Sequence, residues 1–310
     1  MKGKISAVGL GLAFGLATHR FRRDLAEARR RLAEPPFALR QITTSTGTLA
    51  FADLGEGRPV LVLHGNGGGW DHGVDWAQRR LGPGFRSISP SRFGYPGSTR
   101  PADATLGDQA DVLVELLDEL DLDQVDVVSL SAGSLTAAHL AARYPDRVHR
   151  LILESPVGPT DRPLQQPPLP LFTALTHNEA VFWLTAGVPP LIAAASGAPW
   201  SHLDAPARAE LREIMLTLTP VVPRADGMVF DNYVAYQEVV HDTLPWAAVS
   251  APTLVVASAD SPLPSPTEAA ALLERLPQGQ LLQLPSGGHL NLGHVEQLRS
   301  EVRSFLIARP

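Results

Sequence analysis

The amino-acid sequence predicts an α/β fold: a mostly parallel central sheet flanked by helices, carrying one inserted block of helices. Three observations predict it. From residue 40 onward, short apolar runs rich in β-branched residues alternate with longer segments of helical spacing, as a parallel sheet with helical crossovers requires. Between residues 155 and 245 the strand signal disappears and prolines crowd in, beginning with PVGPTDRPLQQPPLP. The alternation then resumes, which marks the block as an insertion into one domain rather than a second domain.

The elements follow in order. Lys2 and Lys4 precede an apolar run over residues 5–17 (ISAVGLGLAFGLA), and HRFRRDLAEARRR comes after it. The run is shorter than the roughly 20 residues that a spanning helix needs. Three readings stand: a helix associated with a membrane, a helix packed on the protein, or a signal-peptide core ending at Gly15-Leu16-Ala17. The arginines that follow oppose export. Residues 1–38 are therefore set apart as an apolar and basic helical segment, and cytoplasmic or membrane-associated location is left open. Residues 48–53 read as an early strand, 59–63 (PVLVL) as a buried one and 85–89 as the next. Over 106–122, Val112, Leu113, Leu116, Leu117 and Leu120 recur at helical spacing. Residues 125–128 form a strand that runs into a helix over 134–143, and this helix stops near Tyr144-Pro145. Another strand covers 148–153. The inserted block, 156–245, reads as helical at 171–186, 205–218 and 227–240. A strand at 253–257, a helix at 266–276, a strand at 280–284 and a closing helix at 294–308 complete a core of residues 39–155 and 246–310.

Composition narrows the chemistry. With 44% hydrophobic residues in 310, the chain has enough apolar mass for one large core and a smaller lid. A net charge of −6, with no basic run beyond the N-terminal segment, argues against a nucleic-acid partner. No cysteine is present, which excludes disulfides, thiolate metal sites and cysteine nucleophiles. The ten histidines are scattered and no His-Glu-x-x-His occurs, so no metal is expected.

The strongest local signal is Val127-Val128-Ser129-Leu130-Ser131-Ala132-Gly133-Ser134. A strand must turn sharply into a helix here, with small residues two before and two after Ser131. That is the pattern of a nucleophile elbow, where strand and helix approach so closely that the flanking positions must be small. Ser129 stands where glycine is usual, and Gly133 keeps the second small position. The competing reading is a small-residue helix start without chemistry.

On these residues the chain resembles the α/β-hydrolase superfamily over roughly residues 40–308, a fold that carries its helical cap after the sixth strand. His64-Gly65-Asn66-Gly67-Gly68-Gly69-Trp70 follows a buried strand, where that family places its oxyanion loop, and no Gly-Lys-Ser/Thr follows to suggest a phosphate cradle. The run from Ser91 to Ser98 (SRFGYPGS) resembles the family's Asp-x-x-Gly-x-Gly-x-Ser turn, with Ser91 for Asp. The resemblance implies Ser131 as nucleophile, with the backbone N–H groups of Asn66 and Ala132 as the oxyanion hole and Gly65, Gly67, Ser129 and Gly133 as supports. It implies a base late in the chain, where Ser286-Gly287-Gly288-His289 ends the last strand. It implies an acid after the preceding strand, where Ala257-Ser258-Ala259-Asp260-Ser261-Pro262-Leu263-Pro264 resembles Gly-x-x-Asp-x-x-x-Pro. Asp260 is the expected acid. Glu154, in Leu153-Glu154-Ser155-Pro156, is the alternative, because some members place the acid one strand earlier.

The expected chemistry is hydrolysis of an uncharged, hydrophobic ester through an acyl-enzyme, without cofactor or metal. An acyltransferase or a C–C bond hydrolase could use the same triad, and a non-catalytic binding protein could keep the fold without needing all three side chains. A serine at the elbow speaks against haloalkane dehalogenases and epoxide hydrolases, which carry aspartate there. In the lid, Leu171, Phe172, Val181, Phe182, Trp183, Leu184, Leu191, Ile192, Trp200 and Phe230 supply packing, with a remainder left to line an apolar pocket for a small-molecule substrate. The oligomeric state is not legible.

Overall fold

In the computed structural model, β1 (Arg40–Thr44), β2 (Gly47–Gly55), β3 (Arg58–Leu63), β4 (Phe85–Pro90), β5 (Val125–Leu130), β6 (Val148–Glu154), β7 (Thr253–Ser258) and β8 (Gly279–Leu284) form one sheet in the order β1-β2-β4-β3-β5-β6-β7-β8. The structure describes residues 7–308 except Gly187, Pro189, Leu191, Ala194 and Ala195. Lys2, Lys4, the first two residues of the 5–17 run and Leu191 thus lie outside the described residues. β1–β2 and β2–β4 pair antiparallel, and every other pairing is parallel.

The central strands are apolar on both faces, and successive side chains go to opposite cores. Leu61 and Leu63 of β3, Val127 of β5 and Leu151 and Leu153 of β6 face one way. There they meet Leu113, Leu116 and Leu117 of α3 (Leu106–Glu119) and Leu135 and Ala138 of α4 (Gly133–Arg143). Val60, Val62, Val128, Leu130 and Ile152 face the other way, onto Trp76 of α2 (Trp70–Arg80) and Leu298 and Val302 of the closing helix (Val295–Ile307).

Among the described residues, the strand β1 and the helix α2 are not announced by the sequence. β1 is a mostly exposed edge strand with one apolar residue, Ile42, and only its hairpin with β2 defines it. In α2, WDHGVDWAQRR, the apolar period is broken by Gly73 and by charged residues. Gly73 is needed because a Cβ there would come within 2.9 Å of the Ser89 Cβ.

The N-terminal helix α1 (Ala7–Ala33) lies against the inserted block. Phe21 meets Trp183 edge-on with ring centroids 5.5 Å apart, the Trp183 indole N–H donates to Asp24 at 3.1 Å, and Arg31 donates to the Leu216 carbonyl at 2.8 Å. These contacts hold α1 against the inserted block. No helix among the described residues is long and apolar enough to cross a membrane.

The inserted block lies between β6 and β7. It contains α5 (Leu169–Thr176), α6 (Glu179–Ala186), α7 (Ala205–Thr217) and a last helix in three parts: α8 (Ala225–Val229), a π-turn (Phe230–Ala235) and α9 (Tyr236–Val240). The single helix expected over 171–186 is two. Asn178 divides them, because its side-chain oxygen accepts from the Ala180 and Val181 N–H groups and so starts a new helix. Two ion pairs bolt the block to the sheet loops. Arg92 grips Asp231 bidentately at 2.5 and 2.7 Å, both buried, and Arg224 grips Asp71 at 2.6 and 3.0 Å.

Candidate active site

β3 and β5 are parallel neighbours whose following helices, α2 and α4, leave toward opposite faces of the sheet. The crevice between such diverging connections is where open α/β sheets bind ligands. Two loops meet in it, 64–69 after β3 and the turn at Ser131 after β5. Ser131 has φ 47, in the left-handed region that non-glycine residues avoid. Its N–H donates to the Glu154 carbonyl and its own carbonyl accepts from Ser134 N–H, both at 2.9 Å, which holds the strained turn. Gly133 has no room for a side chain, since a Cβ would fall 2.5 Å from the Leu63 carbonyl oxygen. Gly65 passes so close that a Cβ would lie 3.2 Å from the Ser131 Cβ. Ser129 is tolerated because the positive φ falls on Ser131; Ser129 itself is an ordinary, fully buried residue of β5.

The fold brings His289, from the loop after β8, to Ser131: its Nε2 lies 2.8 Å from the Ser131 Oγ. The other ring nitrogen, Nδ1, faces the Leu263 carbonyl oxygen. A carbonyl can only accept, so Nδ1 carries the hydrogen and Nε2 presents its lone pair to the serine hydroxyl. Burial pulls the ring's pKa below its usual value, while the Leu263 carbonyl and the charge of Glu154 oppose that shift. The ring is therefore a neutral base at neutral pH.

Asp260, the expected acid, does not accept a hydrogen bond from this ring. Its carboxylate accepts instead from the backbone N–H groups of Gly288 at 2.8 Å and Gly287 at 3.2 Å, and it braces the loop that carries His289. Leu263 lies three residues further along the same chain segment, and its carbonyl occupies the place foreseen for the carboxylate. Glu154 ends β6 inside the crevice, 6% exposed. It accepts from the Trp76 indole N–H at 2.6 Å and from Asn291 at 3.4 Å, and lies 3.5 Å from Arg80. Glu154 is the carboxylate whose field reaches the imidazole.

Asn66 and Ala132 line the cavity beside Ser131. Ala132 caps the first turn of α4, where unpaired N–H groups and the positive end of the helix dipole favour a developing negative charge. The Asn66 loop is anchored from below. The Tyr95 hydroxyl accepts from Gly67 N–H at 3.1 Å and donates to Asp231 at 2.5 Å. His64, fully buried, accepts from Arg92 N–H through Nε2 at 3.0 Å. Burial and the Arg92 charge hold its pKa well down, so it stays neutral. Tyr95 and Arg92 fall in the Ser91–Ser98 turn that resembles the family's; nothing in their spacing announces Asp231, 136 residues downstream of Tyr95, as their partner.

The cavity over this constellation measures about 360 Å³. Leu130, Leu135, Val157, Leu164, Ile214 and Leu218 make its apolar wall, and Trp76, Arg80, Glu154 and Glu210 its polar one. Four of the five lid aromatics singled out from the sequence pack elsewhere: Phe172 on Tyr233, Trp183 on Phe21, Phe230 on Phe93, and Trp200 beneath Arg208.

Comparison with known proteins agrees with this architecture. A family model described as the alpha/beta hydrolase fold matches residues 58–293. The 2-hydroxymuconate semialdehyde hydrolase of Pseudomonas sp. (strain CF600) is 37% identical over 110 residues, 34% of this chain and 39% of that enzyme. The chain thus spans about two-fifths of the length of the curated hydrolases it matches. Among solved structures, an alpha/beta hydrolase fold protein from Nakamurella multipartita superposes with a TM-score of 0.70 and 25% identity, covering 87% of this chain and 99% of that one. A thermophilic esterase from Thermogutta terrifontis shares the fold at a TM-score of 0.60 and 24% identity, over 87% of this chain and 98% of the esterase.

Proposed function

The chain belongs to the α/β-hydrolase family, and from that premise we propose that it is a serine hydrolase acting on an uncharged, hydrophobic ester through an acyl-enzyme. The observation that carries the reading is the 2.8 Å approach of the Ser131 hydroxyl to the unprotonated nitrogen of a neutral imidazole. A serine hydroxyl is a weak nucleophile until a base takes its proton. As Oγ bonds to the ester carbon, its proton passes to His289 Nε2 and the carbonyl electrons move to the oxygen. The N–H groups of Asn66 and Ala132 receive that oxyanion; one such donor is typically worth about 2.7–4 kcal/mol in the transition state. Collapse expels the alcohol, which takes the proton back from Nε2, and water repeats the sequence on the acyl-enzyme.

In this reading the acid's two tasks are divided. The Leu263 carbonyl fixes the imidazole tautomer, Glu154 supplies the negative charge that favours the imidazolium, and Asp260 positions the loop. The apolar wall of the cavity favours an uncharged acyl or alkyl chain. The partial likeness to 2-hydroxymuconate semialdehyde hydrolase supports a second reading, C–C bond cleavage beside a carbonyl by the same serine and histidine.

Fluorophosphonate labelling and p-nitrophenyl ester turnover test the first reading, with wild type beside Ser131→Ala. Both signals are expected in the wild type and lost in the variant; turnover that survives Ser131→Ala refutes it. Turnover of 2-hydroxymuconate semialdehyde far above that of any ester would select the second.

A further inference from the structure

We propose that Arg80 is a specificity-determining residue of the cavity, offering its guanidinium N–H groups to an uncharged carbonyl oxygen carried on the substrate's chain. The inference rests on the serine-hydrolase reading and names the substrate class more narrowly: hydrophobic esters that bear a second, neutral carbonyl.

Arg80 ends α2 and faces the cavity, with its side chain 3% exposed. Its Nε and one terminal nitrogen, Nη1, are buried and have no hydrogen-bond partner. The other terminal nitrogen, Nη2, lies 3.5 Å from Glu154 and 3.5 Å from Glu210, distances of ionic contact rather than of well-made hydrogen bonds. Buried guanidinium donors are almost always satisfied, because each orphaned donor carries its full desolvation cost. Protein atoms leave these donors unmet, and Arg80 lines the cavity, so an acceptor carried by a bound substrate is the partner assigned to them.

The surroundings select its charge. Glu154 and Glu210 already flank the one guanidinium, and Glu210 is held in place by Gly293 N–H at 2.9 Å. Burial raises the pKa of Glu210, a sign that this pocket resists further negative charge. Arg79 offers no relief, since it is engaged with Asp75 at 2.9 Å and Glu213 at 3.1 Å. A substrate carboxylate would be the third on a single guanidinium. A ketone, amide or ester carbonyl accepts the same N–H groups without adding charge, and the apolar wall accommodates the chain that links it to the scissile ester.

The full-length protein, titrated with fluorophosphonate, is assayed on p-nitrophenyl 5-oxohexanoate, 6-oxoheptanoate and 7-oxooctanoate. The comparison esters are hexanoate, heptanoate, octanoate and the p-nitrophenyl monoester of adipic acid. One oxo ester is expected to exceed its apolar counterpart in kcat/KM by about tenfold, the worth of a well-made hydrogen bond to a charged donor, with the adipate monoester below both. In Arg80→Met the oxo-to-apolar ratio falls to near one. In Glu210→Gln, which keeps Arg80, the ratio persists and the adipate monoester gains. A wild-type ratio near one overturns the proposal whatever the variants do, as does a preference for the adipate monoester or a ratio retained in Arg80→Met. Loss of labelling and of all ester turnover strikes the serine-hydrolase reading itself, and is thereby distinguished from turnover without oxo preference.

Discussion

Replacing Glu154 by glutamine removes one negative charge near the His289 imidazole, the base of the proposed mechanism, and keeps the shape and the contact with Trp76. Coulomb's law bounds the effect from above: even unit charges as close as about 4 Å in a partly buried site interact by only about 4 kcal/mol. Glu154 spends part of its field on the Trp76 N–H, Asn291 and Arg80, so about 1–2 kcal/mol remains for the imidazolium. That predicts a loss of about ten- to thirtyfold in kcat/KM on a p-nitrophenyl ester. The pH profile carries the sign. Activity requires neutral His289, so kcat/KM rises through the ring's pKa. The charge of Glu154 raises that pKa, and without it the acid limb moves to lower pH even as the plateau falls. Asp260→Asn should lower the plateau modestly and leave the limb in place, because Asp260 meets the backbone of Gly287 and Gly288 rather than the ring. Where a carboxylate itself fixes the ring, the amide costs about 10⁴ in kcat. A loss of that size in Asp260→Asn, beside an unshifted Glu154→Gln profile, would refute the division of labour.

Three other outcomes are expected. Asp231→Ala leaves the buried Arg92 guanidinium without its carboxylate and should cost about 3–5 kcal/mol in urea unfolding; a change below 1 kcal/mol, about the worth of an exposed pair, would show that this pair does not hold lid to core. Gly133→Val cannot be housed 2.5 Å from the Leu63 carbonyl, so soluble protein should lose fluorophosphonate labelling, and normal labelling with an unchanged Tm would contradict the elbow geometry. Trp183→Ala deletes the Phe21 contact and the bond to Asp24, worth about 1 kcal/mol together. It should hasten tryptic cleavage at the arginines of α1 while ester turnover continues; cleavage at the wild-type rate would mean that α1 is held by other contacts.

Much of the fold is legible because its causes are local and repeated. β-branched runs with both faces apolar mark β3, β5, β6 and β7, and an apolar stripe at helical spacing marks α3. The strand-to-helix turn at Ser131 is equally local, since it needs small residues at fixed distances from the serine. β1 and α2 escape such a reading for the converse reason: one is an edge defined by its partner, and the buried side of the other includes Gly73 and Arg80.

The chain's own order of residues therefore announces the central strands, the sharp turn at Ser131 and the loop that carries His289. Which oxygen takes the imidazole N–H was decided only in three dimensions, where the Leu263 carbonyl stands at the ring while Asp260 turns to the glycine backbone. The lid's anchorage to Arg92 and the unmet donors of Arg80 belong to the same category. Periodicity reports which face of an element is buried, but a hydrogen bond is set within tenths of an ångström by groups far apart in the chain, and no local pattern encodes that distance.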